Sequence, residues 1–159
     1  MPMPKSVTKL NKNGVTFTSE VDKASYTLNE LTRAALKDVG RFITYQCSVK
    51  VGKINSLKGV PFKARKYFGK AYQYWVRSKE TDLQVGIHNT KYTDKYTWFG
   101  ADAELGLNKQ PKRAILTTTV EENIDKIREI ESKYLSAIED ELKAKSLINE
   151  TEAIGSGEE

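Results

Sequence analysis

Apolar side chains recur along this chain at two periods, and the change of period divides it into elements. Leu28, Leu31, Ala35, Val39, Phe42 and Ile43 fall three and four apart, which predicts one apolar stripe on a helix from about Leu28 to Ser48. Thr27-Leu-Asn-Glu30 ahead of it has the form of a capping box: the Thr hydroxyl accepts from a first-turn amide and the Glu reaches back. Gly40 inside the stripe costs about 1 kcal/mol relative to Ala, so a small residue there suggests close approach by another element. A second stripe is clearer: Val120, Ile124, Ile127, Ile130, Tyr134, Ile138 and Leu142 predict a long C-terminal helix. Glu121, Glu122, Asp125 and Glu129 load its beginning, where acids complement the helix macrodipole, and Thr118 or Thr119 is the expected N-cap.

Period two appears between these helices and before the first. Val15, Phe17 and Val21 predict a strand near Gly14–Val21. Tyr72, Tyr74 and Val76 alternate, as do Leu83, Val85 and Ile87, so these runs are expected to pair across a turn at Lys79–Asp82. Tyr96–Phe99 is the candidate third strand and Ala114–Thr118 a fourth. Lys50–Lys63 is broken by Gly52, Gly59 and Pro61 and reads as a basic loop or loose hairpin, while Phe62–Tyr74 reads either as a short helix or as an entry into a strand. The expected class is α+β: a small, mostly antiparallel sheet of about three to five strands against the two long helices. Residues 1–13 are read as a flexible arm, 14–145 as one domain with a basic loop at about 50–66, and 146–159 as a disordered acidic tail.

Composition narrows the class. With 159 residues, 38% apolar and 30% charged, one compact domain is expected. No run of about 18 apolar residues occurs, and MPMPKSVTKLNKNG has charge without the apolar core of a secretory signal. The single Cys47 cannot form an internal disulfide and fits a reducing compartment. Net charge is +5, but its distribution is more informative. Between Arg41 and Lys79 there are ten bases and no acids, whereas Glu121–Glu159 holds twelve acids and five bases. Such asymmetry suits contact with a polyanion or head-to-tail packing of identical subunits, and equally a surface that merely keeps the chain soluble.

Candidate chemistry is sparse. His88 is the only histidine, with no nucleophile motif beside it, and Cys47 lies on or beside the first apolar stripe, where cysteines behave as small hydrophobes. A closed zinc site needs about four Cys or His ligands, more than this chain has, and Asp102 with Glu104 lacks the spacing of a calcium loop. Gly52-Lys53 and Gly69-Lys70 lack the rest of a phosphate loop. No enzyme, cofactor or metal is expected. Lys53, Lys58, Lys63, Arg65, Lys66 and Lys70 are candidates for contact with DNA or an acidic partner, interleaved with Tyr67, Phe68, Tyr72, Tyr74 and Trp75. Cations neutralise phosphates and aromatic faces stack on unpaired bases; the plainer reading makes Phe68, Tyr72 and Trp75 core and the bases their wet flank. Trp98 and Phe99, neighbours in a strand, point to opposite faces, so one is a candidate interface anchor.

The stretch Leu83–Leu116 carries a resemblance. A strand, the aromatic Trp98, Glu104-x-Gly106, a loop with Pro111, an apolar segment at Leu116 and a helix from about Val120 follow in order. This succession resembles the head–tail joining (tail-completion, or neck) proteins of long-tailed bacteriophages over roughly Leu28 to Ile138. Leu107 stands where that family usually has Thr, and the aromatic-to-Glu spacing is about one residue longer. The resemblance implies a non-enzymatic virion protein. It would form a homo-oligomeric ring, expected to be a hexamer, between the head-closure or connector protein and the tail tube or tail terminator. Its expected location is the neck of the particle, with the host cytoplasm during assembly, and no membrane contact. Trp98, Phe99, Glu104, Gly106 and Pro111 are then the motif and interface residues, and the basic segment faces genomic DNA or an acidic ring. The alternative is a basic module that binds nucleic acid without sequence preference.

Overall fold

The computed structural model of the chain describes residues 5, 7–12, 15–53, 69–77, 81–87, 101–102, 104–109 and 111–155. Strands β1 (Val7–Lys12) and β2 (Val15–Ser19) form an antiparallel hairpin with a bulge between Thr8 and Leu10. Helix α1 (Val21–Lys53) follows, then a 3-10 turn at Gly69–Ala71 and the antiparallel pair β3 (Tyr72–Val76) and β4 (Leu83–Ile87). Helices α2 (Ile115–Glu122), α3 (Ile124–Leu135) and α4 (Glu141–Gly155) close the chain. The fold is α+β, and its described strands make two two-stranded sheets, fewer strands than expected in one sheet. The chain divides into two compact units, residues 1–35 with 131–159, and residues 36–130.

The second unit holds a continuous apolar core. Val39, Ile43, Cys47 and Val51, each four residues on from the last, line one side of α1 and pack with Tyr72 and Ile115. Leu83, Val85 and Ile87 of β4 and Val120, Ile127 and Ile130 of the later helices cover them. Burying each such aliphatic side chain contributes roughly 1.5–3 kcal/mol. Tyr72 pairs with Ile87, Tyr74 with Val85 and Val76 with Leu83, so one face of the hairpin is spent on this core. The smallness of Gly40 has the expected use: a Cβ there would lie 2.4 Å from the Tyr74 ring.

In the first unit, Leu31 and Ala34 of α1 are buried, as are Tyr134, Ala137, Ala144, Leu147 and Thr151. The Tyr134 hydroxyl and Thr151 Oγ1 share a hydrogen bond of 3.0 Å, and Lys23 Nζ reaches Glu141 at 3.0 Å.

Several expectations are corrected. The helix expected from Leu28 begins at Val21, and no capping box forms: Thr27 sits inside it and its hydroxyl donates to the Lys23 carbonyl at 3.0 Å. Ala114–Thr118 is not a fourth strand, because α2 starts at Ile115. Neither threonine caps that helix; the Thr118 hydroxyl donates back to the Ala114 carbonyl at 2.8 Å, and Thr119 is buried within the helix. The C-terminal stripe does not lie on one helix. Asn123 ends α2, its side chain donating to the Thr119 carbonyl at 2.8 Å, while its own carbonyl accepts from Ile127 and so begins α3. A second break at 136–140 is held by three-residue backbone bonds, and Asp140 then caps α4 by accepting from the amides of Leu142 and Lys143. The arm expected over 1–13 contains strand β1, and the tail expected to be disordered from 146 is helical to Gly155 because Leu147 and Thr151 bury one side of it. The third strand expected at Tyr96–Phe99 and most of the basic loop lie outside the described residues.

Candidate functional site

Glu104 sits at the centre of the best-built polar arrangement. Its Oε2 accepts from the Ile115 amide at 2.8 Å and its Oε1 from the Leu116 amide at 2.9 Å, the first two amides of α2. These donors have no partner within a helix, and a carboxylate held against them also meets the positive end of the helix dipole. Oε2 accepts a third bond, from the Tyr72 hydroxyl of β3, at 3.0 Å. One carboxylate therefore ties the strand pair, the motif loop and the helix start together. The residue preceding the helix, Ala114, has left-handed backbone (φ 45°, ψ 46°) and provides no side-chain cap, so a glutamate ten positions upstream takes over that task.

The rest of Glu104-x-Gly106 shapes the loop. The Asp102 carbonyl accepts from the amides of Gly106 and Leu107 at 2.8 and 2.9 Å, and Asp102 Oδ2 accepts from the Asn108 side chain at 3.0 Å. Gly106 turns the chain at φ 75°, where a Cβ would also lie 2.7 Å from Lys112 Cβ. Pro111 and Lys112 are exposed in the irregular stretch that leads to Ala114. Asp102 and Glu104, weighed as cation ligands, are thus committed to the loop and the helix.

Electrostatics follows the packing. Burial pushes the Tyr72 phenol well above its usual range, and the negative charge of Glu104 pushes the same way, so Tyr72 stays a neutral donor. Burial likewise raises the Cys47 thiol, with the hydroxyl of Thr119 opposing. The sulfur is wholly buried, which gives it the character of a small core hydrophobe rather than a reactive thiol. Lys50 joins α1 to α2, its Nζ 2.7 Å from Glu122 and 3.2 Å from Thr118 Oγ1.

The basic candidates separate. Lys53 ends α1 and Lys70 lies in the 3-10 turn, both exposed. Lys58, Lys63, Arg65 and Lys66 lie outside the described residues, as do Trp98, Phe99 and His88. On the hairpin face away from the core, Trp75 is partly exposed and Arg77 pairs with Asp82. Among the described residues no group of three or more His, Cys, Asp and Glu is placed to hold a metal ion, and no described helix is long and apolar enough to cross a membrane.

Sequence reasoning picked out Glu104 and Gly106 but missed Tyr72 as a partner and Asp102 as the knot of the loop. The usable signal was the missing cap: no Ser, Thr, Asp or Asn stands just before Ile115, so the helix start needed a distant acceptor. Comparison of the chain with protein-family models, with curated proteins and with solved structures gives no match in any of the three.

Proposed function

We propose that this protein is a non-enzymatic virion component that joins a phage head to its tail, acting as a ring of identical copies between the head-closure or connector protein and the end of the tail tube. The observation that carries the reading is the Glu104 clamp. Three of the positions on which the resemblance rests, Glu104, Gly106 and Leu116, take part in a hydrogen-bonded joint between the strand pair and α2. A joint of this kind holds surfaces in fixed relation, which a connector needs and a lid or catalytic loop does not. The split between a basic stretch at 41–79 and an acidic stretch at 121–159 also suits packing of identical subunits.

The test is electron microscopy of particles made without this protein. The joining reading expects full heads and finished tails lying apart; normal joined particles would contradict it. A second reading, a nucleic-acid module without sequence preference, is favoured by exposed Lys53 and Lys70 in an acid-free stretch with the partly exposed Trp75. It expects short DNA to be held with an affinity that falls steeply as salt rises, which a joining protein has no need to show.

A further inference from the structure

Two surfaces expose apolar side chains in company with uncommitted charges. The first is the loop that follows Glu104. Leu105 and Leu107 are 60 and 50% exposed, and the exposed Lys109 and Lys112 that follow have no ion pair or hydrogen bond among the described residues. The backbone here is held at a cost: Gly106, Asn108 and Lys109 have φ of 75, 50 and 62°, a left-handed conformation that is uncommon for a lysine. Asp102 maintains it, its carbonyl accepting from the Gly106 and Leu107 amides and its carboxylate from the Asn108 side chain. Strain kept in place by hydrogen bonds presents the leucines in a set geometry, which lowers the ordering cost of a contact.

The second surface is an open groove of about 560 Å³ in the first unit. Val21, Leu28 and Ile138 line it, and they are 70, 48 and 49% exposed. Of its carboxylates, Glu20 and Glu141 already pair with Lys23, and Glu141 pairs with Lys145 as well. Glu139 is exposed and has no ion pair among the described residues.

We infer that the groove of one copy receives the Leu105–Lys109 loop of a second copy, the two leucines seated on Val21, Leu28 and Ile138 and Lys109 paired with Glu139. Apolar side chains half open to water on both surfaces gain by covering each other. Leucines offer nucleic acid no face for stacking, and a bilayer adapts to any inserted shape, so a loop held under backbone strain suits a protein socket. The contact joins two different patches, so it is head-to-tail and repeats from copy to copy until a ring closes. It rests on the proposed role in treating the chain as an assembly protein, and it names the surfaces. Five apolar side chains and one exposed ion pair make a weak contact singly, formed at high concentration or within a closed ring.

The experiment mixes two full-length chains at high concentration under mild oxidation, one with Leu107→Cys and the other with a cysteine in the groove. Cys47 is wholly buried and stays out of the reaction, and a disulfide between the two chains is intermolecular by design. Val21→Cys and Leu28→Cys serve in turn as the groove site, so that a variant misfolded by circular dichroism leaves the other to decide. The mixed disulfide should form at least about fivefold faster than one between Leu107→Cys and Ile154→Cys, an exposed site outside the groove. Lys109→Glu in the first chain should slow it about threefold, and adding Glu139→Lys to the second should restore it. Equal rates for the groove and control pairs would overturn the inference, as would a double charge reversal that leaves the rate low. Such a failure leaves the joining role to be decided on the particle, whereas absence of the protein from particles would end that role and leave the disulfide result standing.

Discussion

The two compact units are stabilised by different means. Residues 36–130 are centred on a buried apolar cluster and one part-buried carboxylate with three hydrogen bonds. Residues 1–35 with 131–159 have small buried side chains such as Ala34, Ala137 and Ala144, a Tyr134–Thr151 hydrogen bond, exposed ion pairs and exposed apolar residues including Leu135 and Leu142. Part-buried polar bonds and packed aliphatics hold against salt and pH; exposed ion pairs contribute little and are screened. The contrast puts the aliphatic cluster and the clamp in the second unit, while exposed ion pairs and exposed apolar side chains occur in both.

The sharpest way to break that contrast is to remove the clamp. Glu104→Ala leaves two helix-start amides and the Tyr72 hydroxyl without their acceptor and should destabilise by about 3 kcal/mol in denaturant titration. Tyr72→Phe should cost less, about 1 kcal/mol, because the carboxylate keeps both amides. The double variant should fall short of the sum, since the two share one bond.

Next come two glycines of the same helix. Gly40→Ala forces a methyl against the Tyr74 ring and should cost roughly 2 kcal/mol even after the helix-propensity gain. Gly52→Ala meets nothing within 4 Å and should gain up to about 1 kcal/mol. Opposite signs in thermal melts would sharpen the account; equal signs would remove the close approach of β3 to α1. Gly106→Ala, at positive φ and against Lys112, should cost about 1–2 kcal/mol.

The smallest effect belongs to the ion pairs of the first unit. Hydrogen bonds from Lys145 and then Lys23 lower the Glu141 pKa below 4.5, so its contribution is present above that value and fades as pH falls through the depressed one. The bond to Glu141 raises Lys23 above 10.5, so its contribution is present below 10.5 and fades as pH rises beyond the raised value. Glu141→Gln should therefore flatten the acid side of the stability profile slightly, and only at low salt.

How much was legible follows from the range over which each signal acts. The α1 stripe at Val39 and Ile43, the Tyr72–Val76 and Leu83–Ile87 pairing and the use of Gly40 could be read because periodicity is local. The breaks at Asn123 and 136–140 could not, because Ile124, Ile138 and Leu142 continue the apolar period across them while remaining 46, 49 and 80% exposed. Asp140, a good N-cap, was the overlooked stop and start signal. Thr27 misled because a hydroxyl can bond back into a helix as readily as cap one. The role of Glu104 depends on contacts eleven, twelve and thirty-two residues away, beyond any window of pattern reading.

The most direct test of the joining role is to locate the protein in intact particles by cryo-electron microscopy with a specific antibody fragment. The account predicts one band of label at the junction of head and tail and none elsewhere. Particles that carry no label, or carry it along the tail or over the capsid, would contradict it.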